Sequence, residues 1–231
     1  MSKFSQKSIH SNKIKIVGIC GSPHVNGNTA TLIKKALEGC REAGAETEFI
    51  PLANHKILYC KACYLCIEKG ECVLNDDVKT IRQKMLQSDG IIIGSPTYNR
   101  EITGQLKTFF DRLWYDIHRE TFTGRYAVCI NTHLFTSGCS QKTLKDLTLA
   151  LGYTITAEIN ANLWKYKNKV SNDKKTMMKA YKSGYKLIKD IKTQKKYLTQ
   201  KIIREAFIKP VFRKIDKLIS NPEIYQTNRL I

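Results

Sequence analysis

The sequence contains no apolar run approaching the roughly 20 residues that a membrane-crossing helix requires, so the ordinary integral membrane class is excluded. It is also short of acid: 20 Asp+Glu stand against 39 Lys+Arg, giving a formal net charge of +19. Two familiar phosphate-binding patterns are missing. No lysine follows Gly27, which excludes the Gly-x-x-x-x-Gly-Lys-Ser/Thr loop of triphosphate binders. No Gly-x-Gly-x-x-Gly occurs either, which disfavours a dinucleotide site of the Rossmann type. Residues 1–13 are polar and lack the apolar core of a signal peptide, so a cytoplasmic location is expected.

What is present is 231 residues with a 42% hydrophobic share, enough for one large domain or a domain with an appendage. The excess positive charge is concentrated at one end. Residues 165–231 hold 19 Lys+Arg against 5 Asp+Glu, whereas residues 1–164 hold 20 against 15. Within the basic end, Leu198, Ile202, Phe207, Val211, Ile215 and Leu218 recur at roughly helical spacing, with Pro210 expected to kink or interrupt the helix. Such a segment can lie on a membrane or bind nucleic acid. The expectation here is that its apolar side packs on the body or on a sister subunit, with neither nucleic acid nor a membrane surface as partner.

Ahead of it, apolar runs alternate with helical patterns. Strands are expected over residues 13–20, 47–52, 90–94, 126–131 and 155–159. Helices are expected over residues 29–43, from near Asp76-Asp77, over residues 102–114, 143–151 (closed by Gly152) and 173–191. Strands alternating with helices of this length argue for an α/β fold, a parallel sheet covered on both faces.

The first strand ends in Gly21-Ser22-Pro23-His24-Val25-Asn26-Gly27-Asn28-Thr29. At the carboxyl edge of an open parallel sheet, a loop that feeds a helix offers free backbone N–H groups and the positive end of the helix dipole to an anion. Without a lysine it suits a single phosphate monoester. Taken alone it reads equally well as a Gly/Pro/Asn turn. It is followed, after the third strand, by Ser95-Pro96-Thr97-Tyr98-Asn99, and then by Thr103-Gly104-Gln105-Leu106-Lys107 with Phe110-Asp111-Arg112.

These segments together, in this order and at these strand ends, resemble the NAD(P)H-dependent FMN reductase and iron–sulfur flavoprotein group over residues 13–160. The resemblance implies a flavodoxin-like doubly wound sheet of five parallel strands in the order 2-1-3-4-5. It implies FMN as cofactor, with Ser22, Asn26, Gly27, Asn28 and Thr29 at the phosphate and Pro96, Thr97, Tyr98 and Asn99 along the isoalloxazine ring. His24 and His133 fall near the flavin edge. The third family loop, residues 132–138 here, is less typical. Because the chemistry of such proteins belongs to the cofactor, no catalytic acid, base or nucleophile is assigned.

Cys60, Cys63, Cys66 and Cys72 crowd into 13 residues with spacings of two, two and five. Three closely spaced thiolates fit one corner of a cuboidal cluster, and Gly70 lets the chain turn back so that Cys72 can close it. The iron–sulfur flavoproteins carry a similar compact motif that binds a 4Fe–4S cluster beside FMN. Structural zinc and metal-free thiols are the competing readings. The other four cysteines, Cys20, Cys40, Cys129 and Cys139, read as small hydrophobes or turn residues.

The resulting expectation is an FMN-dependent oxidoreductase with a 4Fe–4S cluster. Its rivals are a cluster-free NAD(P)H-dependent FMN or quinone reductase and a non-enzymatic carrier. The resemblance implies ferredoxin or NAD(P)H as electron donor and a homo-oligomer, dimer or tetramer. The expected division is an FMN-binding domain over 1–192, with a cysteine-rich loop at 57–77, and a basic amphipathic helical extension over 193–231.

Overall fold

A computed structural model describes residues 13–164, 167–211 and 214. Five parallel strands, β1 (Lys15–Cys20), β2 (Glu46–Pro51), β3 (Gly90–Pro96), β4 (Tyr126–His133) and β5 (Thr154–Asn162), form one sheet in the order β2-β1-β3-β4-β5. This is the order the resemblance implies. The only register shift among the described strand pairs lies between Ala127 and Val128, opposite Ile155 and Ala157.

The three central strands, β1, β3 and β4, are buried on both faces because alternate side chains serve two cores. Val17, Ile19, Ile91, Ile93, Ala127 and Cys129 pack on one side. They meet α3 (Val78–Gln87), α4 (Gly104–Arg112) and α6 (Ser140–Ala150) through Ile81, Met85, Leu106, Phe109 and Leu144. Ile16, Cys20, Ile92, Val128 and Ile130 pack on the other. There they meet α1 (Asn28–Glu42) and α7 (Lys174–Lys192) through Leu32, Ile33, Leu37, Ala180 and Leu187. Helices α1 and α7 touch backbone to backbone. A Cβ added at Gly184 would lie 1.8 Å from the Ala36 carbonyl oxygen, and one at Gly39 would lie 2.1 Å from that of Tyr181.

Two helices depart from the expected pattern. The run 102–114 begins later, at Gly104, because Thr103 is extended and its Oγ1 accepts a hydrogen bond from Leu106 N–H at 3.3 Å, a conventional N-cap. It also ends early. Leu113 N–H turns back to the Phe110 carbonyl, and a separate helix α5 (Trp114–Arg119) follows. Short α2 (Leu65–Lys69) lies inside the cysteine-rich stretch.

Beyond α7, helix α8 (Leu198–Ile203) runs into a π turn over Arg204–Ile208 and continues helically past Pro210. A proline removes one N–H and crowds the preceding turn, and the widened π turn just before it is where that disturbance is absorbed. Gln200 lies along the free edge of β5, its Oε1 accepting from Ile155 N–H and its Nε2 donating to the Ile155 carbonyl, both at 2.8 Å. Arg204 donates to the Gly152 carbonyl at 2.9 Å and pairs with Glu120 at 3.2 Å. Of the apolar series, Leu198, Ile202 and Val211 are exposed on this chain; the residue that packs on the core is Ile208, which stands outside that series. Ile215, Leu218 and the Phe207 side chain lie outside the described residues.

Candidate functional site

A cavity of about 280 Å³ opens at the carboxyl edge of the sheet, beside the crossover between β1 and β3. Ser22, His24, Gly27, Asn28 and Thr29 contribute one wall and Pro96, Thr97 and Tyr98 another. Thus seven of the nine residues assigned to a flavin site from sequence surround one space. Asn26 and Asn99 do not line it. The Asn26 amide oxygen accepts instead from exposed Lys34 at 3.0 Å. Asn99 and Arg100 both have left-handed φ, +47° and +68°, at the tip of a tight turn closed by reciprocal Tyr98–Glu101 backbone bonds.

The phosphate-loop side is built around the start of α1. The first N–H groups of a helix have no carbonyl four residues back. Here Gly27 is the N-cap residue, and no side chain caps the helix. Ser22, almost fully buried, accepts from His24 N–H at 3.1 Å through Oγ, and its own hydroxyl proton is left to donate. Asn28, which lines the cavity, is also engaged through its side chain. Its Nδ2 donates to the Asn168 carbonyl at 2.8 Å and its Oδ1 accepts from Val170 N–H at 2.8 Å, so the side chain ties the loop to the segment after β5. Thr29 Oγ1 pairs with Thr132 Oγ1 at 2.7 Å.

The sequence segments are mechanically coupled. Thr103 Oγ1, besides capping α4, donates to the Gly21 carbonyl at 2.6 Å, and Thr103 N–H donates to Ser95 Oγ at 3.0 Å. Beneath Thr97 lies fully buried Asn131, whose Nδ2 donates to Thr97 Oγ1 at 3.1 Å and whose Oδ1 accepts from Ser140 at 2.8 Å. A rigid polar floor of this kind holds the Pro96–Tyr98 wall in place.

The remaining lining was only partly legible. Thr132, His133 and Leu134 come from the atypical third loop, and Leu163 and Asn168 from beyond β5. The last two carry no local motif and reach the cavity through the Asn28 bonds and the fold itself. Burial pushes the His133 imidazole below its usual pKa, favouring the neutral ring. Its Nδ1 is a buried polar atom without a partner among the described residues. Phe135 and Trp164 form an exposed aromatic pair, ring centroids 4.7 Å apart, next to the mouth.

Cys60, Cys63, Cys66 and Cys72 surround a second, much smaller cavity, together with Tyr64, Arg112 and Trp114. Burial, reinforced by neighbouring Cys72, Cys60 and Cys63, pushes the Cys66 thiol up to about 11. The backbone here is unusual: Ala62 and Tyr64 have φ of +50° and +55°, and Gly70 +75°. Two carboxylates hold the loop's stem, Asp77 accepting from Lys56 N–H at 2.7 Å and Asp76 from Leu58 N–H at 2.8 Å. Asp76 also accepts from Val78 N–H, the first residue of α3, at 3.1 Å. As the side chains stand, no group of three or more His, Cys, Asp or Glu among the described residues has an arrangement that would hold a metal ion. Cys20, Cys40 and Cys129 are buried in the cores, and exposed Cys139 precedes α6, as expected of hydrophobes and a turn residue.

The sequence pattern of NADPH-dependent FMN reductases matches residues 14–164, from the start of β1 to just past β5. The chain belongs to that family. Among relatives, an iron–sulfur flavoprotein of Methanocaldococcus jannaschii is 46% identical over 99 residues, 43% of this chain and 51% of that protein. One from Archaeoglobus fulgidus is 40% identical over 113 residues, 49% of this chain and 51% of that protein. The chain thus spans about half the length of the curated relatives it matches. Its fold is similar to that of a flavone reductase, with a TM-score of 0.64 at 22% identity over 78% of this chain and 63% of that one. An archaeal flavodoxin, at a TM-score of 0.53 and 12% identity, shares the flavodoxin-like architecture over 78% of this chain and 99% of its own. The family match ends before α7, so that helix, the Gln200 contact and the basic end lie outside the matched residues.

Proposed function

We propose that this chain is an FMN-dependent oxidoreductase that couples the flavin to a 4Fe–4S cluster. The observation that carries the flavin half is the cavity in which an uncapped helix N-terminus and the Pro96–Tyr98 wall face one space. In this reading Ser22 and the first N–H groups of α1 hold the phosphate, Gly27 keeps the backbone low enough for the anion to approach, and Thr97 and Tyr98 orient the ring. Leu134 and Leu163 exclude water from one side. When bound, FMN accepts two electrons together and releases them singly, whereas a cluster carries one at a time. None of the lining residues is assigned proton transfer. The test is a titration of flavin-free protein with FMN and with riboflavin: FMN binds much more tightly because only it carries the phosphate, and equal affinities would overturn the reading.

The cluster half is supported by four thiols around one cavity and by relatives named iron–sulfur flavoproteins. Iron would displace the thiol protons, so the raised Cys66 pKa does not oppose it. A cuboidal cluster also needs its cysteines further apart than a single ion does, since iron and sulfide lie between them. Anaerobically purified protein is therefore expected to contain iron and acid-labile sulfide, and Cys63→Ser to lose most of both while keeping FMN. Absence of iron and sulfide from the unsubstituted protein would leave the cluster-free reductase; no steady-state NAD(P)H oxidation with any of a range of acceptors would leave the carrier.

The donor we assign is ferredoxin or NAD(P)H, in a cytoplasmic homo-oligomer. Residues 165–231, strongly basic, suit an acidic protein donor, since opposite fields speed encounter. Electron transfer from an acidic ferredoxin is then expected to slow several-fold between low and high salt, as charge is screened over about 10 Å at 0.1 M. A rate indifferent to salt would remove the ferredoxin assignment.

A further inference from the structure

We infer that Arg112 is the positioning residue of the cysteine centre, fixing Cys72 and raising the cluster's reduction potential; this rests on the cluster reading above. The guanidinium closes α4, and each of its three nitrogens has a partner. Nε donates to Cys72 Sγ at 3.1 Å, Nη1 to the Leu58 carbonyl at 2.8 Å and to Asp76 Oδ2 at 2.5 Å, and Nη2 to Asp76 Oδ1 at 3.1 Å. Both side chains of the Arg112–Asp76 pair are completely shielded from solvent. Asp76 is held in turn by the N–H groups of Leu58 and Val78. Every nitrogen and carboxylate oxygen of the pair therefore has a partner, which is the condition under which a buried ion pair is tolerated.

The geometry does more than tie a loop to a helix. An arginine needed only for anchoring would spend its planar fork on Asp76 and the Leu58 carbonyl. Here the remaining edge is aimed at a sulfur. Among the four clustered cysteines, Cys60 also receives an N–H, from Ala62 at 3.4 Å, but that donor is a neutral backbone amide. Cys72 receives a charged one. Hydrogen bonds and positive charge at a ligand sulfur favour the more negative, reduced cluster, because the added electron is spread partly onto the sulfurs. Fixed beside Cys72, Arg112 thus favours uptake of one electron, and its rigidity comes from the same Asp76 that accepts the first N–H of α3.

The experiment uses anaerobically purified holoprotein, with iron and sulfide measured first. The cluster midpoint is then followed by electron paramagnetic resonance in a mediated titration with dithionite as reductant. Arg112→Lys keeps the charge and can still reach Asp76, but it loses the Nε donor. Its cluster is expected to be harder to reduce by about tenfold in the equilibrium constant, about 59 mV for one electron, while the two-electron FMN midpoint stays within about threefold, or ~14 mV. A cluster midpoint unchanged within about twofold (~18 mV) overturns the assignment and leaves the cluster reading intact. Should Arg112→Lys fail to retain iron, the unsubstituted protein grown with ¹⁵N-labelled arginine decides: pulsed resonance of the reduced cluster must show a coupled arginine nitrogen, and its absence overturns the assignment. Unsubstituted protein without iron overturns both readings together.

Discussion

Gly184→Val is expected to destabilise the fold by about 3 kcal/mol or more, the upper end of what overpacking usually costs. The position lies where α7 crosses α1, and a Cβ there would sit 1.8 Å from the Ala36 carbonyl oxygen and 2.8 Å from its carbon. Neither neighbour can rotate away, since both are helix backbone. The helices would have to separate, stripping contacts from Ala36, Cys40, Ala180 and Leu187 and lengthening the 3.3 Å bond from Cys40 Sγ to the Gly184 carbonyl. For a chain of this size the midpoint of thermal unfolding should fall by about 6–12 °C. Gly104→Ala is the control, because a Cβ there meets nothing within 4 Å and alanine restricts the unfolded chain. It should be neutral or slightly stabilising. A denaturation midpoint for Gly184→Val within about 1 kcal/mol of the unsubstituted protein would show that the two helices do not meet as described.

Ser22→Asp is expected to weaken FMN about a hundredfold without unfolding the protein. Two unit charges about 4 Å apart repel by about 4 kcal/mol at the effective dielectric of a protein surface, and about 2.8 kcal/mol already amounts to two decades in Kd. The carboxylate would itself be welcome at the start of α1, where the helix dipole favours negative charge and no side chain acts as a cap. The fold should therefore survive while the phosphate loses its place. Riboflavin, lacking the phosphate, is the internal comparison: the FMN preference should collapse while riboflavin affinity stays put. Flavin fluorescence quenching reads both. An FMN affinity within threefold of the original would mean that the phosphate does not lie beside Ser22.

Much of this was legible beforehand, for local reasons. A strand such as Ile91–Ile93 that is buried on both faces reads as an unbroken apolar run, and the loops after β1 and β3 are short enough for their motifs to survive as contiguous residues. The failures are just as local. Nothing near Leu113 in sequence announces that its N–H will bond to Phe110 and end α4. Asn28 looked like a free donor because its partners, Asn168 and Val170, lie some 140 residues away in the chain. Asn99 does not line the cavity, and a motif does not reveal that its backbone is left-handed. The roles of Gly39 and Gly184 are equally silent, since each glycine merely weakens its own helix until the backbone of the other helix is brought against it. Arg112 stood inside a recognised motif, yet its sulfur partner, 40 residues earlier, is a property of the fold.

The side-chain amide of Gln200 takes up both the N–H and the carbonyl of Ile155, as one residue of a sixth strand would. The last ribbon of the sheet is thereby denied to any other chain seeking to zip onto it from that point. A chain shortened before this glutamine would keep all five strands and bare a template at its flank, so the basic tail guards against stacking as well as offering charge.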